Sequence, residues 1–178
     1  RQKQFRIEAA KVQLRDDVIS VCNQIVNDKT SDALDKLSEK FRLLTLDNAE
    51  VVKKEIAEFS TTIKIADYLA ERKPSVPQEV DPDEARQIMN AAYKEVVDSL
   101  TKSFSDSVAS AKQDILDQFD SKIAELQEQK RLAEEKRKAE EEARKAEEER
   151  KRKEAELKAA KDEEERKRKE AELKAAEE

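Results

Sequence analysis

The sequence contains no glycine, no histidine and no tryptophan. At ordinary usage of about 7%, glycine would occur roughly a dozen times in a chain of this length. Glycine is the default residue for left-handed turns, helix C-caps and phosphate-cradling loops. Its absence argues against sheets with tight hairpins and removes the glycine-rich nucleotide loops. Cys22 is the single cysteine. Without a second one, and without histidine, no intramolecular disulfide, no Cys/His zinc site and no Ser–His or Cys–His pair can be built. No run of about 18 apolar residues exists, so no membrane span is expected. Proline occurs three times, at Pro74, Pro77 and Pro82, which leaves the rest of the chain free to be helix.

What the chain does have is charge. Asp, Glu, Lys and Arg make up 45% of its 178 residues, against 4% aromatics. A composition rich in Ala, Glu, Lys, Arg and Leu marks long helices and coiled coils, so the expected fold is all-α. The net charge of −6 predicts no nucleic-acid footprint over the molecule. A lone cysteine fits a reducing compartment, and Cys22, on a stripe with Val18 and Ile25, reads as a small buried hydrophobe. The first residue is Arg1, so the chain is expected to be a segment of a longer protein.

Apolar periodicity divides residues 1–73 into three helices. The first, over 2–27, carries Phe5, Ala9, Val12, Ile19, Cys22 and Val26, and Asn27 to Ser31 form a short break. The second, over about 32–45, carries Leu34, Leu37, Phe41 and Leu44. Asp47, with Glu50 three positions on, has the form of a capping box for a third helix over about 48–73, with Val52, Ile56, Phe59, Ile63, Ala66 and Leu69 on its buried face. Residues 74–82 form a proline-rich linker. The strongest local signal follows. Asp81 is placed to cap, Pro82 fits the first helical position, and Asp83 and Glu84 put negative charge on the first turn. From Asp83 no helix breaker occurs, so 96 residues can run as one helix.

The first part of that helix, residues 83–126, repeats every eleven residues. Met89, Leu100 and Ala111 form one series; Tyr93, Phe104, Ile115 and Leu126 a second; Val97, Val108 and Phe119 a third. Eleven residues in three turns keep a stripe nearly straight or gently right-handed, a geometry suited to bundles, tubes and barrels. The stripe from Ile88 to Leu126 spans about 58 Å, whereas helices of 26 residues reach about 39 Å. Ile115, Phe119, Ile123 and Leu126 are therefore expected to lack a partner in this chain and to mediate self-assembly, homo-oligomerisation being favoured over a different protein partner.

Residues 127–178 change character. They hold 18 Lys or Arg and 19 Asp or Glu, and EEERKRKEAELKAA recurs identically at 147–160 and 163–176. Glu precedes Lys or Arg by four at eleven places, among them Glu134–Lys138, Glu141–Lys145, Glu148–Arg152 and Glu164–Arg168. Each such pair contributes about 0.2–0.5 kcal/mol. The short basic cluster Arg150 to Lys153 lies between acidic blocks that cancel its attraction to phosphate. The arm resembles the ER/K-type charged single α-helices of motor and cytoskeletal proteins, and it is similar to the helical spacer of TolA-like envelope proteins and colicins. That resemblance is compositional, covers about 50 residues and implies a mechanical role as a rod. A weak coiled coil through Ala139, Ala143, Ala146, Leu157 and Ala160, or a solvated disordered segment, are the alternatives.

The expectation for function is a non-enzymatic scaffold: a helical bundle that oligomerises through the long helix and uses the charged helix as a rigid spacer. No cofactor or metal is expected, and Tyr68 and Tyr93 read as core residues. Two other readings stand beside it. One is a subunit of a ring-like machine with a helical barrel, as in a viral portal or a secretion-type assembly. The other is a helical protein-binding module or adhesin.

Overall fold

A computed structural model of the chain describes residues 1–177. The fold is all-α, with a very long C-terminal helix packing against an N-terminal one. In chain order the helices are α1 (Gln2–Arg42), α2 (Ala49–Ala57), α3 (Ile65–Leu69) and α4 (Pro82–Glu177). The chain divides into two compact units, Arg1–Ala124 and Glu125–Glu178.

The first unit is built on α1 and the N-terminal part of α4. Its buried face on α1 is Leu14, Val18, Cys22, Ile25, Val26, Ala33 and Leu37. Leu14, Val18, Cys22 and Ile25 recur at four-, four- and three-residue steps, Val26 adjoins Ile25, and Ala33 and Leu37 follow at steps of seven and four. The stripe thus passes through the segment expected to break. No Gly or Pro interrupts residues 27–31, and Thr30 donates its hydroxyl back to the Val26 carbonyl at 2.6 Å, a bond that leaves the helix intact. Residues 2–42 are therefore one helix of 41 residues, about 61 Å long. The exposed end of its expected stripe is also corrected, because Phe5 and Val12 are 75% and 58% exposed.

The turn after α1 is closed by a reciprocal pair. The Thr45 backbone N–H donates to Asn48 Oδ1 at 2.7 Å, and the Asn48 N–H donates to Thr45 Oγ1 at 3.2 Å. Asn48 also donates its side-chain amide to the Leu43 carbonyl. The capping-box form expected at Asp47 and Glu50 is thus realised two residues upstream, by Thr45 and Asn48, and Asn48 precedes the first residue of α2.

The single helix expected over 48–73 is two short ones. Between them Phe59 to Lys64 are non-helical. Ser60, Thr61, Thr62 and Ile63 combine hydroxyls that compete for backbone bonds with β-branched side chains stiff at χ1. The Thr62 N–H donates to Ser60 Oγ, and the two hydroxyls lie 3.0 Å apart. Lys112 of α4 supplies the Phe59 carbonyl with a donor at 2.7 Å.

The contacts order the elements in space. Lys40 pairs with Glu55, Arg72 with Asp28, and the Lys29 ammonium sits 4.3 Å from the Tyr68 ring centre. The segment after α1 therefore runs back along it toward its N-terminus. There Lys11 meets Glu84 at 2.6 Å and Arg15 meets Glu95 at 2.7 Å. At the far end Lys53 lies over the Phe119 ring and Lys112 reaches Phe59. Within this unit α1 and α4 run in the same direction, with the return segment against them.

In the second unit, residues 125–177 are helical throughout and nearly every side chain is exposed.

Candidate functional site

Three features of the chain carry functional expectations: the start of α4, the apolar stripe along it, and the charged arm. At the start, Asp81 accepts hydrogen bonds from the backbone N–H groups of Asp83 and Glu84 at 3.1 and 3.2 Å. Pro82 is the first helical residue, where its missing N–H costs nothing. Just before it, Val80 is buried and donates its N–H to the Pro77 carbonyl, so the proline-rich linker is pinned at its end. Glu84 is drawn to the Lys11 ammonium, which is held above its usual range by Glu84 first and then by Glu8.

Along the stripe, Ala85, Met89, Ala92, Phe104, Val108 and Phe119 are buried. All three eleven-residue series contribute to that face. Of the residues expected to lack a partner in this chain, Phe119 is 4% exposed, with the Lys53 ammonium 5.6 Å from its ring centre. Ile115, Ile123 and Leu126 are half-buried. The premise failed at helix length. The expectation allowed the first helix 26 residues and about 39 Å; α1 has 41, about 61 Å, which matches the stripe. Sequence reasoning also missed the reach of α2 and of Phe59 to this end of α4. The Ser-Thr-Thr run at 60–62 was the signal available for the break that allows it.

In the arm, lysines take the glutamate four residues upstream, as in Glu141–Lys145 at 3.2 Å, Glu149–Lys153 at 3.1 Å and Glu165–Lys169 at 2.8 Å. Arg152 and Arg168 instead take Glu156 and Glu172 downstream, not the upstream Glu148 and Glu164. Leu132, Leu157 and Leu173 are all more than half exposed.

Between α1, α3 and α4 lies an open groove of about 350 Å³. Val18, Leu69, Met89 and Tyr93 line its apolar part, and Lys73 and Arg86 stand at its edge.

Glu39 and Glu128 are held below the usual carboxylate range by Arg42 and Arg131 respectively, the wrong direction for a general acid. Burial pushes the Cys22 thiol up, away from a reactive thiolate. Among the described residues, no group of three or more His, Cys, Asp or Glu is placed to hold a metal, and no helix is long and apolar enough to cross a membrane. No family model, no curated protein and no solved structure matches this chain.

Proposed function

We propose that the chain is a non-enzymatic scaffold element in which the charged helix serves as a spacer. The observation that carries this reading is the arm itself, a helix over residues 125–177 whose side chains lie in solvent and pair along the helix rather than across it. A helix that is polar on nearly every face has little apolar surface to contribute to a core, which leaves length and stiffness as what it offers.

The test is a distance. Spin labels on Ala133→Cys and Ala171→Cys, in a Cys22→Ala background, are 38 residues apart. A continuous helix sets them about 57 Å apart in a narrow distribution, whereas a flexible chain of that length gives a broad one near 31–37 Å. A broad short distribution removes the spacer.

Self-association belongs to the same proposal, narrowed to the half-buried Ile115, Ile123 and Leu126, since Phe119 is covered within the chain. Sedimentation equilibrium on residues 1–178 reads it directly. A clean multiple of 20.5 kDa supports a homo-oligomeric scaffold, and a large multiple favours a ring-like assembly. A monomer at all concentrations favours the binding-module reading, which draws on Phe5 and Val12, exposed and seven residues apart on α1.

A further inference from the structure

The groove between α1, α3 and α4 has no part in the spacer reading, and its chemistry is one-sided. Its floor is apolar, with Val18 and Met89 buried beneath it. Ala66 and Ala70 of the α3 segment flank it where larger side chains would fill it. The polar residues that line it are Lys73, Arg86, Asn90 and Tyr93, and no Asp or Glu does. Lys73, Asn90 and Tyr93 make no side-chain hydrogen bond or ion pair within the described residues. Arg86 has only a 3.6 Å contact with Asp83, both groups being largely exposed. In a chain of net charge −6, two cations line an apolar cleft, Arg86 with only the exposed Asp83 beside it and Lys73 with no ion pair among the described residues.

We propose that this groove binds a small amphipathic anion, a single aliphatic chain ending in a carboxylate. The chain would lie against Met89, Leu69 and Val18, and the carboxylate would meet Lys73 and Arg86. A volume of about 350 Å³ falls at the lower end of the roughly 300–1,000 Å³ typical of small-molecule sites. A few polar groups converging on an apolar floor is the usual anatomy of such a site. The carboxylate supplies the charge complement that Lys73 lacks among the described residues and a second partner for Arg86.

Met89 is the single methionine, so a ¹³C-methyl-methionine sample of the whole chain gives one signal, from the groove floor. Decanoate, kept below its micelle concentration, shifts that signal saturably, and decanol binds at least ten-fold more weakly. Combined Lys73→Gln and Arg86→Gln raises the decanoate Kd about ten-fold and leaves decanol unchanged. Ala66→Leu, with helicity retained, abolishes the shift. A Met89 signal that decanoate does not move, or decanol binding as tightly as decanoate, overturns the proposal. The comparison of the two ligands uses the unmodified chain, so a variant that fails to fold does not protect the idea. Anionic vesicles of phosphatidylglycerol, added alone, leave the signal in place. A vesicle-induced shift equal to that of decanoate would overturn the assignment to a free single-chain anion.

Discussion

Phe119 distinguishes two accounts of the long helix, because one buries it against its own chain and the other against a second copy. At 4% exposure, its ring is already covered in the monomer. Truncating a buried phenylalanine costs about 3–5 kcal/mol through lost transfer energy and the cavity left behind. Phe119 lies near the end of the first unit, where neighbours collapse more readily, so about 3 kcal/mol is the working figure for Phe119→Ala. Removing the ring also removes the Lys53 contact, which at an exposed site adds about 0.5–1 kcal/mol. For a unit of this size the sum corresponds to a fall in Tm of roughly 10–15 °C. The assay is thermal unfolding followed by circular dichroism at several protein concentrations, with Leu157→Ala as an exposed control. In-chain burial predicts a fall that does not depend on concentration, and a control within about 0.5 kcal/mol of the parent. If Phe119→Ala instead leaves the monomer's Tm unchanged while lowering the sedimentation mass, the in-chain packing assigned here is wrong.

Other consequences follow from single contacts. Asp81→Ala removes the acceptor for two backbone donors and should cost about 1 kcal/mol; Asp81→Asn should restore most of it, and denaturant unfolding with an unchanged m-value checks both. The Cys22 thiol, raised by burial, should react with a disulfide reagent only as fast as the unit unfolds. Since its native pKa lies above the unfolded one, its contribution to stability is full below the ordinary thiol range and declines as pH rises through that range toward the native value. Stability that is flat through alkaline pH in the parent, and the same in Cys22→Ala, would refute this linkage.

Much of the fold was legible from residues acting locally. Asp81-Pro82-Asp83-Glu84 announces a helix start because each residue answers a backbone need of the first turn, and the structure makes those bonds. The stripe on α4 was legible because an eleven-residue period returns to one face. What was not legible depended on competition between elements. Asn27 to Ser31 looks like a loop by composition, yet Ile25, Val26, Ala33 and Leu37 on either side bury into one core, and tertiary packing overrides weak helix propensity. The reverse occurs at 59–64, where the apolar spacing of Ile56, Phe59 and Ile63 suits a helix. There the hydroxyl run breaks the helix, and Lys112, a residue 53 positions away, satisfies the freed carbonyl. The error at Phe119 descends from these two. Joining the first two expected helices and splitting the third redistributes the cover along α4. The groove was invisible in sequence for a similar reason, since its walls come from three helices.

The arm raises the last question, whether it pairs with another helix, and its repeat bears on the answer. Sixteen residues advance an α-helix by about four and a half turns, so identical units face directions roughly 160° apart. Leu157 and Leu173 occupy the same place in the repeat and therefore point to nearly opposite sides. A seam through Ala139, Ala143, Ala146, Leu157 and Ala160 would already pass Arg150 and Lys153. Continued at heptad spacing it meets Glu164, Lys167, Ala171 and Lys174, three charged positions of four, while Leu173 falls outside it. An eleven-residue period, by contrast, drifts only about 20° per repeat, which is why the earlier part of the same helix can stay in a core. Leu132 and Leu157 fall on nearly the same side, but Lys136, Arg150 and Lys153 occupy the seam between them, which denies a partner a continuous apolar line. What holds the arm is then helix propensity and pairing along its own surface. A peptide of residues 127–178 should therefore be a monomer whose helicity does not change with concentration. In 1 M salt, where the screening length falls to about 3 Å, that helicity should decline. Helicity that rises steeply with peptide concentration would mean the arm is paired. Helicity indifferent to salt would mean that propensity alone sustains it.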